Sequence, residues 1–426
     1  MTIMSNSIFA IVVGFVLAPS VGVAEWEPHQ IRQLNGSIDQ FQFPAQIQII
    51  GKSWNRVVVV PYLVNMPEKN RLLMLVGCDY PHRTFLMTSH NNGETWTDPR
   101  PARLGKDGKP SVGLGTGLAY LGNGKVFFYE HRSPSTNKSW RWFSSDYGQT
   151  WGNPVPLAKS SDKKNWHIWD PPLVDRHPET GKINQIVETG YHQTGKKSQA
   201  QIRFSADEGQ NWSKSIKVPH WHGVNEVALL RAGNNDLVAA CRTEIPERLT
   251  DKTLDHYEGL GVSISKDDGR TWSTVKKIYD YGRHHPSMVL MPNNDIVMTY
   301  VVRLGYIDSK DGFPQFGIEA VVSHDHGMTW DLDHRYLLHV WTGNRKGKTY
   351  WWPSSQSTST TLLEDGSILT AFGTGYRIKG GPKDPQAPRD VGIIKWQLNT
   401  KSINNDRSIR DAAIDSDLRN VFDPKK

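Results

Sequence analysis

The chain has 426 residues, 37% of them hydrophobic and 22% charged, with 50 Lys and Arg against 43 Asp and Glu for a net charge of +7. Two cysteines exclude a disulfide scaffold. No basic run of five or more marks a nucleic-acid surface, so the positive balance favours a different kind of anionic partner.

Residues Ile8 to Ala18 form an eleven-residue apolar run with small residues after it and a plausible cut after Ala24. Such a run is too short to span a bilayer and reads as a secretory signal, which predicts a secreted or periplasmic protein. No other segment is long enough to cross a membrane. Residues 25–42 read as an N-terminal surface extension, and Phe43 to Ile50 (FPAQIQII) as an apolar strand with no hairpin partner of its own. Residues 43–398 then carry a repeat, and 399–426 form a polar tail.

The repeat has two parts. Six segments read apolar strand, turn, apolar strand: PYLVNMPEKNRLLMLVG, LAYLGNGKVFFYEHR, PPLVDRHPETGKINQIVETGY, VALLRAGNNDLVAACR, MVLMPNNDIVMTYVVR and TTLLEDGSILTAFGTGYR. Five of them are followed by Ser-x-Asp-x-Gly-x-Thr-Trp, ending at Trp96, Trp151, Trp212, Trp272 and Trp330, at steps of 55, 61, 60 and 58 residues. Asn91 replaces Asp in the first copy and Asn211 replaces Thr in the third. In this turn Asp accepts backbone amides, Gly permits positive φ, and Trp caps the apolar layer between units. A period this steady predicts an all-β toroid of like units. The sixth unit lacks the turn motif and an outer strand, so residues 43–50 are expected to close the ring by completing it. No helix-period segment and no internal domain boundary stand out. Cys78 and Cys241 fall on opposite sides of such a ring and are expected as buried free thiols.

The five motifs are identified as Asp boxes, and at this number and spacing the chain resembles the sialidase superfamily of six-bladed β-propellers, over roughly residues 43–398. Fold alone fixes no chemistry. In a ring of such hairpins, the start of each innermost strand and the end of the next share one rim. That rim carries Asp79, Tyr80, His82 and Arg83, then Glu130, His131 and Arg132. The third unit adds His167, Trp169, Asp170, Glu188, Tyr191 and His192, and the fourth Asn225, Glu226, Arg242 and Glu244. Arg283, His284, His285, Arg303 and Tyr306 come from the fifth, and Gln356, Tyr376 and Arg377 from the sixth. The opposite rim carries ordinary turn residues, and this asymmetry predicts one convergent site.

The resemblance implies roles for some of these. Sialidases carry a Glu at the head of the fourth innermost strand and an Arg sixteen residues later, matched by Glu226 and Arg242. There the Glu polarises a catalytic Tyr and the Arg joins a three-arginine clamp on the substrate carboxylate, bound bidentately. A structural ion pair at a strand end is the bland alternative. Arg303 stands where the family places another clamp Arg, and Asp79 is nearest to its acid/base Asp. The sequence departs from the pattern elsewhere. Val59 stands at the Arg of the family's Arg-Ile-Pro, with Pro61 in place and Arg56 three residues earlier, and Ser357 stands where the Tyr nucleophile opens the sixth unit, behind Tyr350, Trp351 and Trp352.

The expected catalytic set is Glu226, Asp79, Tyr191, His192 and His131. Substrate contacts are expected from Arg242, Arg303, Arg83, Asp170, His285, Gln356 and Arg377, with no metal and no cofactor. Adjacent His284 and His285 are expected on opposite faces of a regular strand. The first reading is a monomeric exo-acting glycoside hydrolase releasing a terminal acidic sugar. A uronate lyase using His and Tyr is the second, and a non-catalytic glycan-binding propeller the third.

Overall fold

The computed structural model describes residues 25–36, 39–50, 58–79, 81–131, 139–177, 179–195, 197–249, 257–304, 315–342, 356–373 and 390–398. The signal segment, the polar tail, Arg56, Tyr80, Arg132, Tyr306, Tyr350 to Trp352, Tyr376 and Arg377 lie outside them. Among the described residues there are 25 strands and two short 3-10 turns. The protein is an all-β propeller. Four separate four-stranded sheets and one nine-stranded sheet make it up.

The nine-stranded sheet runs across the fifth and sixth units. Its two ends are four-stranded meanders, one running from Arg283–Leu290 out to Tyr336–Thr342 and one from Gln356–Leu362 out to Asp39–Ile50. Between them lies Glu27–Asn35, inside the segment read as a surface extension. It pairs along its length with Asp39–Ile50 and touches the fifth unit through Arg32↔Leu337 and Gln33↔Tyr336. Ile31 and Gln33 are buried while Arg32 is half-exposed, so a mostly polar strand is held by two inward side chains. The strand Asp39–Ile50 pairs with Val391–Trp396 and so completes the last unit. Two edges are thereby covered.

The repeated turn folds as its chemistry requires. In the fourth copy the Ser265 hydroxyl accepts the Gly269 amide at 2.8 Å, and the Asp267 carboxylate accepts the Thr271 amide and hydroxyl at 2.8 and 2.6 Å. Asp268 and Gly269 take φ of 58° and 86°. In the first copy Asn91 still accepts the Thr95 amide, at 2.9 Å, and donates to its hydroxyl, at 3.0 Å, which explains why that exchange is tolerated. Trp272 is buried in a cluster that joins Val187 and Ile202 of the third unit to Val227 and Cys241 of the fourth. Trp96 joins the first unit to Leu363, Leu369 and Ile393 of the sixth, and donates to Gln48 Oε1 at 2.9 Å. Each motif is therefore structural. Both cysteines are buried, and neither is in a disulfide.

Six innermost strands stand in a closed ring, each packed on the next and the last on the first. A cavity of about 740 Å³ lies where they converge, bounded by Asn65, Leu118, Val174, Ala228, Ser287 and Thr358 among others. Hydroxyls tie neighbouring units together around it. The Leu63 amide donates to Ser359 Oγ at 2.8 Å, Thr116 Oγ1 to the Ile168 carbonyl at 3.0 Å, and Thr189 Oγ1 to the Val227 carbonyl at 2.8 Å.

Pairing between the first two strands breaks at one level in five units: between Val59 and Tyr62, Thr116 and Ala119, Val224 and Val227, His284 and Ser287, and Gln356 and Thr358. In the third unit Pro171 and Pro172 precede the strand, and only an isolated bridge pairs His167 with Tyr191. A bulge re-aims the side chains that flank it. Val60, Gly117 and His285 take φ of 53°, 58° and 52° at these points. Such values are costly for a β-branched residue and mark positions held by their surroundings.

Candidate active site

Glu226 lies inside the bulge of the fourth unit, and its carboxylate is buried. Arg242, at the end of the next strand, donates through Nη1 to both its oxygens at 2.9 Å. The same guanidinium donates through Nε to Glu258, which also receives the Asn225 amide at 3.4 Å. Arg242 Nη1 reaches His285 Nε2 at 3.0 Å. Arginine has no acceptor, so Nε2 is the unprotonated nitrogen and the ring proton sits on Nδ1. His285 Nδ1 stands 2.7 Å from Glu226 Oε2, off the line of a hydrogen bond.

The electrostatics follow from this packing. Burial alone would raise the Glu226 pKa, yet Arg242 and then His285 overcome it and hold the carboxyl at about 2. Burial pushes His285 down to about 4, with Glu226 opposing and Arg242 and Arg303 assisting. At neutral pH the carboxylate is ionised and the imidazole neutral. Arg303 is buried within electrostatic reach of His285, and its amide donates to the Gly282 carbonyl at 2.8 Å. The bulge also overturns the expectation for the His pair. His285 leaves the regular strand, and the two rings meet edge-on with centroids 4.6 Å apart.

Asp170 and Tyr191 face the same group. Burial and then the Glu226 charge raise the Asp170 pKa well above its ordinary value. Burial, then Glu226, raises Tyr191 as well, so it stays a neutral phenol. Trp169, beside Asp170, lies with its ring 6.4 Å from that of His285. Its carbonyl accepts the Tyr62 hydroxyl at 2.8 Å.

Other expected residues stand elsewhere. His192 points to the opposite side of its strand from Tyr191, toward Asp162 Oδ2 at 3.0 Å and Gln201 Nε2 at 3.3 Å. Strand alternation separates the two, so His192 is no partner for Tyr191 in this site. His131 is locked: Nε2 donates to the Ile168 carbonyl at 2.5 Å, and Nδ1 accepts the Ser139 hydroxyl at 2.7 Å. With both nitrogens engaged and burial taking its pKa to about 4, His131 fixes the Ile168 backbone and is not a proton carrier. Its ring lies 6.3 Å from exposed His167, which in turn lies 5.8 Å from Tyr191.

Arg83 donates to the Pro81 carbonyl at 3.1 Å, within its own loop, rather than toward Glu226. Asp79 is half-buried in the turn after Arg71–Cys78, with φ of 61°. Gln356 heads the sixth innermost strand opposite Gly373; its side chain is outside the described residues, as is Arg377. Glu188 is fully buried between Arg141, at 2.6 Å, and Arg203, and accepts the Tyr129 hydroxyl at 2.6 Å. Arg283 is held at 2.8 Å by Glu319 in a second such group. Both groups are internal ion clusters, not mouth residues.

Glu258 is the member that strand-end counting missed. It precedes Gly259–Ser265, the third strand of its unit, whose start shares the rim with the end of the second. Extending the count to third strands would have found it.

The sequence profile of the BNR repeat-like domain family matches residues 118–295. No curated protein matches the chain. Among solved structures, a Dyadobacter fermentans protein of unknown function aligns over 80% of this chain and 95% of its own, at 15% identity and a TM-score of 0.57. A Hadza microbial sialidase aligns over 80% of this chain and 66% of its own, at 16% and 0.53. Trypanosoma rangeli sialidase aligns over 89% of this chain and 60% of its own, at 14% and 0.52. The likeness is one of fold. The chain spans less than two thirds of the length of these two sialidases, and at such identities their chemistry does not transfer with their architecture.

Proposed function

We propose that this protein is an exported, monomeric, exo-acting glycoside hydrolase of the sialidase superfamily that releases a terminal acidic sugar from a glycan or polysaccharide. One observation carries the reading. Glu226 is held ionised at the head of the fourth innermost strand by the Arg242 guanidinium, with the neutral Tyr191 phenol and the His285 imidazole in its field. A fixed carboxylate stabilises the positive charge that develops on a sugar ring as its glycosidic bond breaks. Arg242 is engaged by two protein carboxylates, so its first role is to fix Glu226. Arg303 supplies the second positive charge of this mouth, and the +7 chain attracts an anionic substrate.

The lyase reading needs a base that takes a proton next to a uronate carboxylate. Tyr191, raised by burial and then by the Glu226 charge, is poorly suited to that task.

Incubation with sialosides, uronides, sulfated glycans and neutral controls, with products read by mass, tests the proposal. It predicts a released acidic monosaccharide, lost in Glu226→Gln. Unchanged acidic glycans would overturn it, and an unsaturated product absorbing in the ultraviolet would replace it with elimination.

A further inference from the structure

Five exposed lysines gather at the third unit. Lys159, Lys163 and Lys164 lie on the segment that enters it, and Lys214 and Lys217 flank the start of its outer strand, Ile216–His222. The two pieces are tied together. The Ser161 amide donates to Ser215 Oγ at 2.8 Å, Ser215 donates on to Gln201 Oε1 at 2.6 Å, and Lys217 Nζ stands 3.2 Å from Asp162 Oδ2. The entering segment is closed into a tight turn, in which the Ser160 amide donates to the Lys164 carbonyl at 3.0 Å and Lys163 takes φ of 61°. Its end is pinned by buried Trp166, with the Arg203 guanidinium 4.7 Å from the ring centroid.

The acidic residue among these lysines does not neutralise them. Asp162 turns inward, where it accepts the Ser160 hydroxyl, meets His192 Nε2 at 3.0 Å and takes the Gln201 amide at 3.4 Å. Its side chain is 24% exposed against 51% for Lys217. Lys159, Lys163, Lys164 and Lys214 have no carboxylate partner among the described residues. Glu244 bounds the face at the far end of the outer strand, with one oxygen taken by the Ser198 amide. Grouped cations without protein counter-charges attract a polyanion. The face also adjoins the candidate site. Three residues after Lys164 comes exposed His167, whose backbone pairs with Tyr191 at 2.9 and 3.1 Å and whose ring lies 5.8 Å from the Tyr191 ring.

Resting on the glycosidase reading for its choice of glycan, we propose that this face is a docking surface for the body of an anionic polysaccharide whose end is held beside Tyr191. A chain leaving Tyr191 meets His167 first and the lysines next. Its carboxylate or sulfate groups pair with Lys159, Lys163, Lys164 and Lys217. A lysine ammonium is a point charge on a long stem, so it accepts either group and does not demand one sugar geometry.

The test is binding at low salt to polygalacturonate and dextran sulfate, with uncharged dextran and duplex DNA alongside. Lys159→Gln, Lys163→Asn and Lys164→Gln together should weaken binding to at least one of the anionic polysaccharides by about 10-fold or more. Lys266→Gln, Arg270→Gln and Lys276→Gln together remove the same charge from exposed positions of the fourth unit, and should change it by less than about 2-fold. Added salt should weaken wild-type binding steeply, a readout that needs no variant. Equal loss in the two triple variants, wild-type binding that ignores salt, or no binding to either polysaccharide would overturn the proposal. Duplex DNA bound more tightly than both would assign the face to nucleic acid and overturn it too. The readout is separate from turnover. Polysaccharide bound through these lysines but never cleaved removes the glycosidase reading and leaves the docking face. Cleavage of short acidic glycosides, with polysaccharide binding unaltered in the first triple variant, does the reverse.

Discussion

Arg242 holds two carboxylates and one imidazole with a single planar group, and lysine offers no equivalent fork. Arg242→Ala leaves Glu226 and Glu258 without their shared cation and should destabilise the fold by about 3–5 kcal/mol. Arg242→Lys should fall between, and thermal melts of the three proteins check the order. Glu226→Gln should reduce turnover by at least about 100-fold, read as kcat/KM, while the protein stays folded. The pH sign follows from the direction of each shift. Glu226 is depressed to about 2, so its stabilisation is present above its unfolded value and is lost as pH falls toward 2. His285, depressed to about 4, also favours the folded state only while neutral. Asp170 is raised, so its contribution is present below its unfolded pKa and is lost as pH rises through the folded value. Calorimetry of Glu226→Gln should therefore show a shallower loss of stability between about pH 4.5 and 2 than the wild type.

The bulged inner strands are the elements that turn a scaffold into a site. Gly117 is a direct probe of one: its φ is 58°, and an added Cβ would meet the Tyr129 ring at 2.4 Å and the Asp170 carbonyl at 3.0 Å. Gly117→Ala should cost roughly 1–3 kcal/mol, seen as a lowered melting temperature beside the wild type. These elements also mark what the sequence disclosed. Turns and hairpins were legible because their chemistry is local: Ser, Asp, Gly and Thr close on one another within seven residues. Glu226 and Arg242 were legible because their spacing is that of paired strand ends. The company they keep was not. His285 comes from another unit through a bulge, and Pro286 was the sequence sign that the strand would not stay regular. His131 and His192 stand near the mouth in sequence, but long-range partners at Ile168 and Asp162 decide where their nitrogens go.

At the scale of the molecule, closure depends on a strand that sequence pattern hides. Glu27–Asn35 is polar at most positions, yet Ile31 is fully buried among Val301, Ile318 and Leu338 of the fifth unit and Trp396 of the sixth. Ile31→Ala should cost about 2–5 kcal/mol, large for a residue so near the start of the described chain. Chemical denaturation with the wild type as reference checks it. Closure in turn fixes where Glu226, Asp170, Tyr191 and Arg303, from three units, stand around one mouth. The most direct test of that arrangement is the reaction run in water labelled with heavy oxygen, with the released sugar weighed by mass spectrometry. Hydrolysis at this mouth predicts an acidic monosaccharide carrying one heavy oxygen, absent with Glu226→Gln. A product that has lost the elements of water, or glycans left intact, would contradict it.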